Sequence, residues 1–180
     1  MKINLRGFFQ RIFDSIFGYK VEPKKYNFLI VCTGNTCRSP MAVAIMNFMR
    51  KVPDFGKIIG NVEGAGWAVT EHSASKMAIM VAHEYECDLS KHNPQQLTQE
   101  VIDRADIILA MDSERAQGIR NRYEAKGKVM SMSTFGLSKG LVMDPYGGSL
   151  EVYHKTAKQM ELLLMRGLEN LANNPRDNGI

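Results

Sequence analysis

Cys32 and Arg38 bracket the string Cys32-Thr33-Gly34-Asn35-Thr36-Cys37-Arg38-Ser39-Pro40. A thiolate and a guanidinium at that spacing can face each other across a bound oxyanion. The apolar run Phe28-Leu29-Ile30-Val31 leads into the string, and a helical pattern from Met41 to Arg50 follows it. A strand therefore feeds a loop, and the loop feeds a helix. Free N–H groups at a helix start and the helix dipole converge there on one anion site. Cys32 is the candidate nucleophile, since a cysteine at a helix N-terminus beside arginine favours its anionic form. Arg38 offers a planar fork that grips two phosphate oxygens, geometry a lysine cannot copy. The candidate phosphate-binding residues are Thr33, Gly34, Asn35, Thr36, Cys37 and Ser39. Gly34 lets the backbone curl close to a ligand, Asn35 tolerates left-handed dihedrals, and the Ser39 hydroxyl can donate to the thiolate. The alternative for Cys32 is a structural cysteine at a strand end, but the full string in its strand-to-helix setting is far more specific than a bare C-x5-R.

The rest of the composition narrows the class. The chain has 180 residues, 44% hydrophobic and 23% charged, enough for one domain with a proper core. Its three cysteines, Cys32, Cys37 and Cys87, are an odd set with no C-x-x-C pair. They suit a reducing, cytoplasmic setting better than a disulfide framework. His72, His83, His92 and His154 form no ligand spacing with them, so no metal site is expected. The net charge is +4. Lys2, Arg6, Arg11, Lys20, Lys24 and Lys25 outweigh Asp14 and Glu22, which places the whole excess in residues 1–25. The remainder is neutral, with no basic face to suit nucleic acid. Arg11 and Asp14 interrupt the apolar start, and no small-residue cleavage site follows, which argues against a signal peptide.

The elements that must hold the loop read as follows. Leu5, Phe8, Phe9, Ile12, Phe13, Ile16 and Phe17 repeat with helical period and make an amphipathic N-terminal segment. Its Phe-rich face suits docking on this domain or a neighbouring copy, or peripheral contact with an anionic membrane. Gly18 and Val21-Glu22-Pro23-Lys24-Lys25 end it as a linker. Residues 1–25 are thus an extension, 26–173 the domain and 174–180 a frayed tail. Strands are expected over Asn27–Cys32, Ile58–Glu63, Ala105–Met111 and Lys128–Ser133. Helices are expected from a Ser39 cap with Pro40 first to Arg50, and over Ser73–Tyr85, Thr98–Asp103, Ser113–Tyr123 and from a Ser149 cap onward. Asp112 reads as a helix cap. The alternation predicts an α/β doubly wound fold, a four-stranded parallel sheet with helices on both faces and the phosphate-binding loop after the first strand. Ligands in such folds sit beyond the carboxyl ends of the strands.

The loop, Leu97-Thr98 followed by Ala105–Asp112, and Val142-Met143-Asp144-Pro145-Tyr146-Gly147-Gly148 together resemble the low-molecular-weight protein-tyrosine phosphatase family over nearly all of residues 27–172. The resemblance implies Cys32 as nucleophile, Arg38 as phosphate clamp and Asp144 as general acid. It implies a route through a cysteinyl-phosphate on a phosphorylated protein, without metal or cofactor. By itself Asp-Pro-Tyr-Gly-Gly is an ordinary turn string. Two departures concern the supports of the loop. Gly64-Ala65-Gly66 lacks a serine common in the family, and His92-Asn93-Pro94-Gln95-Gln96 replaces a His-x-x-Arg-Gln pattern. His92 can still buttress the loop through Asn35, or it is a satisfied surface histidine.

The implied substrate is protein phosphotyrosine, with protein phosphoarginine as the alternative. Thr36 resembles the bacterial arginine phosphatase branch, whereas tyrosine-specific members carry a bulkier aliphatic residue there. Tyr146 is followed by Gly147-Gly148 and not by a second aromatic. A phenyl ring wants apolar walls on both faces, so Thr36 and a lone Tyr146 in the substrate pocket lean toward a polar guanidino group. Arsenate reduction needs two further relay cysteines, and only Cys87 lies outside the loop. A phosphate-binding module without turnover would not need Asp144. Cys32 and Cys37 are close enough in sequence for a reversible disulfide.

Overall fold

In the computed structural model, residues 24–174 are described. The amphipathic segment 1–17, its linker up to Pro23 and the tail beyond Asn174 lie outside the described residues. Four strands, β1 (Tyr26–Cys32), β2 (Ile59–Gly66), β3 (Ile107–Ala110) and β4 (Lys128–Ser131), form one sheet in the order β2-β1-β3-β4. All pairs are parallel, with Phe28 opposite both Val62 and Ile107, and Leu109 opposite Met130. The helices are α1 (Arg38–Met49), α2 (Pro53–Gly56), α3 (Lys76–Glu84), α4 (Gln99–Asp103), α5 (Ser113–Arg122), α6 (Met132–Phe135) and α7 (Leu150–Asn173).

Alternation along the strands fills two cores, as pleating requires. Phe28, Ile30, Ile107 and Leu109 face α1 and α7, meeting Met41, Ile45, Met160, Leu164 and Leu168. Leu29, Val31, Ile108 and Ala110 face α4 and α5, meeting Val101, Ile102, Ala116 and Ile119. Both faces of the sheet are therefore covered, which is why its central strands read as unbroken apolar runs. The order reverses at β1, opening a crevice between β1 and β3 at their carboxyl ends.

Several expected boundaries move, each for a local reason. The first helix begins at Arg38, one residue before Ser39, and its N-cap position is Cys37 with no side-chain cap. The Ser39 hydroxyl is engaged elsewhere, and Pro40 sits in the first turn, where a missing N–H costs nothing. The helix expected from Ser73, α3, starts at Lys76 because Ser75 caps it through the Ala78 N–H. β2 runs on to Gly66, paired with Cys32. β3 is shorter than expected; the Met111 carbonyl accepts from the Val142 N–H at 2.9 Å. β4 stops at Ser131, which caps α6. The four-residue α2 and α6 are too short for their period to show in the sequence. Asp112 caps α5 by accepting from the Arg115 N–H at 2.6 Å. Ser149 holds the N-cap position of α7 without a side-chain bond. No helix among the described residues is long and apolar enough to cross a membrane.

Candidate active site

β1 delivers Cys32 to the rim of the crevice, and the chain turns over Thr33–Cys37 into α1. The turn is made at Asn35, whose φ is +56°. Gly34 does not carry it: its backbone is not left-handed, and a Cβ there would meet only the Thr36 side chain, at 3.6 Å. The Cys32 sulfur accepts from the Asn35 N–H at 3.2 Å and lies 3.0 Å from Ser39 Oγ. Asn35 Nδ2 donates to Ser39 Oγ at 2.7 Å. With that oxygen already accepting, its own hydrogen is free to point at the sulfur. The buried Cys32 sulfur is thus met by two hydrogen-bond donors.

The loop is supported from behind. Asn35 Oδ1 accepts from the Gln95 N–H at 3.0 Å, and His92 Nε2 lies 2.8 Å from the Asn35 carbonyl. His92 therefore takes the buttressing place expected of it. Gln95 Nε2 also donates to the Gly64 carbonyl at 2.9 Å. A Cβ at Gly64 would stand 2.9 Å from Asn35 Nδ2, so the bare glycine leaves room for this amide. Behind the loop a cleft of about 430 Å³ opens between Asn35, Gly64, His92 and Gln95.

The far side of the loop is pinned by residues the sequence does not single out. The Ser75 N–H donates to the Thr36 carbonyl at 3.0 Å. The Cys37 thiol meets Ser75 Oγ at 3.4 Å and Tyr153 Oη at 3.2 Å. Burial, together with the bond to Cys37, pushes the Tyr153 phenol up to about 12. Thr36 is itself buried, its hydroxyl 3.5 Å from the Cys37 sulfur.

Arg38 is 8% exposed and is spread across the crevice. It donates to Thr33 Oγ1 at 3.3 Å, to the Val142 carbonyl at 3.4 Å and to the Asp144 carboxylate. The segment carrying Asp144 is held by α7: the Met143 N–H donates to Gln159 Oε1 at 3.2 Å, and Gln159 Nε2 donates to the Leu141 carbonyl at 2.9 Å. Asp144 Oδ1 accepts from the Tyr146 N–H at 3.2 Å, closing a tight turn. The Tyr146 side chain is exposed, and Gly147 follows with φ +76°. Cys32, Asn35, Ser39, Arg38 and Asp144 thus belong to one bonded constellation. Thr36 and Tyr146 sit on its two flanking segments. Nothing in the local sequence marks Ser75, Tyr153 or Gln159, because their contacts arise only through tertiary packing.

Such a constellation can hold a tetrahedral oxyanion between loop amides and a guanidinium, with a sulfur behind it and a carboxyl in front. The sequence model of the low molecular weight phosphotyrosine protein phosphatase family matches residues 27–176. The chain is 39% identical over 149 residues to the protein-arginine-phosphatase of Geobacillus stearothermophilus, covering 81% of this chain and 96% of that one. It is 32% identical over 142 residues to the low molecular weight protein-tyrosine-phosphatase PtpB of Staphylococcus aureus, covering 77% of this chain and 94% of the relative. The solved low molecular weight protein tyrosine phosphatase of T. tengcongensis superposes with a TM-score of 0.74 at 37% identity, covering 82% of this chain and 100% of that one.

Proposed function

The chain belongs to the low molecular weight phosphotyrosine protein phosphatase family, and from that premise we propose that Cys32, Arg38 and Asp144 carry phosphoryl transfer from a phosphoarginine side chain on a protein. The Cys32 thiolate attacks phosphorus in line with the leaving guanidino nitrogen. Asp144 donates its proton to that nitrogen as the P–N bond breaks, and a cysteinyl-phosphate remains on the sulfur. Asp144, now a carboxylate, takes a proton from water, whose oxygen attacks phosphorus and frees the thiolate and inorganic phosphate. Arg38 and the loop N–H groups other than that of Asn35, which is committed to the sulfur, hold the three equatorial oxygens. The observation that carries this reading is the contact of the Asp144 carboxylate with the Arg38 guanidinium. The phosphate would take that anionic place, and its arrival would release Asp144 to take up a proton from solvent and turn it toward the leaving group.

Phosphoarginine is favoured by a buried Thr36 in the nucleophile's loop and by a lone exposed Tyr146 followed by two glycines. Phosphotyrosine is the second reading, supported by the relatives named as tyrosine phosphatases and by the Tyr146 ring, which can form one wall for a phenyl group. We assign the catalytic unit to residues 26–173, with 1–25 as an appendage, and place the enzyme in a reducing cytoplasm. The latter is supported by free thiols at Cys32, Cys37 and Cys87. The deciding experiment is a side-by-side assay of phosphoarginine and phosphotyrosine peptides, with Cys32→Ser as control. Turnover should vanish in Cys32→Ser while phosphate binding persists, since Arg38 and the loop amides remain. Near-normal turnover in that variant would remove Cys32 from the role.

A further inference from the structure

A groove opens at the β4 edge, on the face of the sheet that carries α7. Val129 is buried under α5, whereas Met130, pointing to the opposite face, is only partly covered. Between β4, α6 and the last turns of α7 lies a cavity of about 240 Å³, lined by Ile107, Met130, Phe135, Leu137, Gly167 and Leu171. Its lining is mostly apolar, and Leu137 on its rim is 69% exposed. Gly167 sets its depth: a Cβ there would fall 2.2 Å from the Phe135 ring.

The chain enters the domain beside this groove. Lys24 Nζ pairs with Asp106 Oδ1 at 3.2 Å, and the Asn27 N–H donates to Asp106 Oδ2 at 2.9 Å. The carbonyl of the same Asp106 accepts from the Lys128 N–H at 2.9 Å, at the start of β4. One residue thus ties the origin of residues 1–23 to the strand that floors the groove, and the next residue, Ile107, lines it. The linker from Gly18 to Pro23 can span up to roughly 20 Å when extended. The sequence ahead of it repeats Leu5, Phe8, Phe9, Ile12, Phe13, Ile16 and Phe17 at helical spacing.

We propose that residues 5–17 of the same chain occupy this groove, laying their Phe-rich face on Met130, Phe135, Leu137 and Leu171. A tether this short holds the segment at an effective concentration on the order of millimolar. That favours its own domain over a second copy. A short amphipathic sequence with few cations holds a lipid surface only weakly.

Chymotrypsin cleavage of the full chain after Phe8, Phe9, Phe13 and Phe17 tests the proposal, with Leu137→Asp and Met130→Glu on the groove side. Leu137 is exposed and has φ +55°, a conformation Asp tolerates better than Leu, so that variant keeps the fold. The wild-type segment should be protected independently of protein concentration, and both variants should be cut at least tenfold faster. The matching Phe9→Asp/Phe13→Asp variant should raise amide exchange across residues 128–137 by a similar factor. Protection that grows with protein concentration would make the occupant a second copy. Protection only with phosphatidylserine-containing vesicles would make it a membrane. Wild-type cleavage as fast as the variants', or protection unchanged in both groove variants, would leave the groove without this occupant. Each of these last results overturns the proposal.

Discussion

The contact between Arg38 and Asp144 places the proposed acid and the proposed clamp in competition with the ligand. On the proposed reading, an arriving phosphate displaces a carboxylate from the guanidinium that clamps it. Asp144→Asn should therefore do two opposite things. The rate on poor leaving groups should fall by about 10²–10⁴-fold, the usual worth of a general acid. Inorganic phosphate should inhibit at several-fold lower concentration, because no anion is left on Arg38. Steady-state kinetics with phosphate as competitive inhibitor measure both. Unchanged or weaker phosphate inhibition would show that the pair does not compete. At Thr36 the prediction concerns selection. Thr36→Ile replaces a buried hydroxyl by an apolar branch and should raise the ratio of kcat/KM for phosphotyrosine over phosphoarginine peptides. A constant ratio would mean that Thr36 does not select.

At the scale of elements, α7 does most to join the site to the core. Gln159 holds the segment around Asp144, Tyr153 touches Cys37, and Leu164 and Leu168 pack under the sheet. Gly167→Ala in this helix sets two effects against each other. Helix propensity gains about 1 kcal/mol. A Cβ pressed into the Phe135 ring, itself edge-on to Phe28 at 6.0 Å, costs more, since overpacking runs to about 1–3 kcal/mol before such a close contact relaxes. The variant should lower the urea midpoint, and a rise would show that the ring yields freely. The same helix shows what was legible in the sequence. Its apolar period announces it, as the string Cys32–Pro40 announces the loop. The supports are another matter. Ser75 reaches Cys37 across 38 residues and Tyr153 across 116, and no local pattern encodes a contact between residues so far apart. Ser39 allowed two readings, helix cap and donor to the sulfur, and it is the sulfur of Cys32, seven residues back in the same loop, that takes its hydroxyl.

For the whole molecule, two phenols bear on stability in alkali. Burial comes first for both: Tyr85, beside Glu161, and Tyr153, beside Cys37, are each pushed up to about 12 from 10. Between those values the unfolded chain loses both protons while the folded chain keeps them. The unfolded state then binds fewer protons, so stability must fall as pH rises through that window and is fully present below pH 10. Tyr85→Phe and Tyr153→Phe should flatten the fall, as followed by denaturant midpoints from pH 9 to 12. An equally steep fall in the double variant would assign it to other groups.

Because every strand runs the same way, the domain has two poles. Tyr26, Ile59, Ile107 and Lys128 open their strands at one, and Cys32 closes its seven-residue strand at the other. Seven residues of strand make roughly 20 Å. Lys24 is fixed at the first pole, on Asp106. An affinity tag or fused reporter placed directly ahead of Lys24 should therefore leave the Cys32 loop facing free solution. Immobilised through its N-terminus, the enzyme should accept whole phosphorylated proteins, not only small aryl phosphates. Immobilised through Met143 or Tyr146, it should turn its mouth to the support and lose the large substrates first.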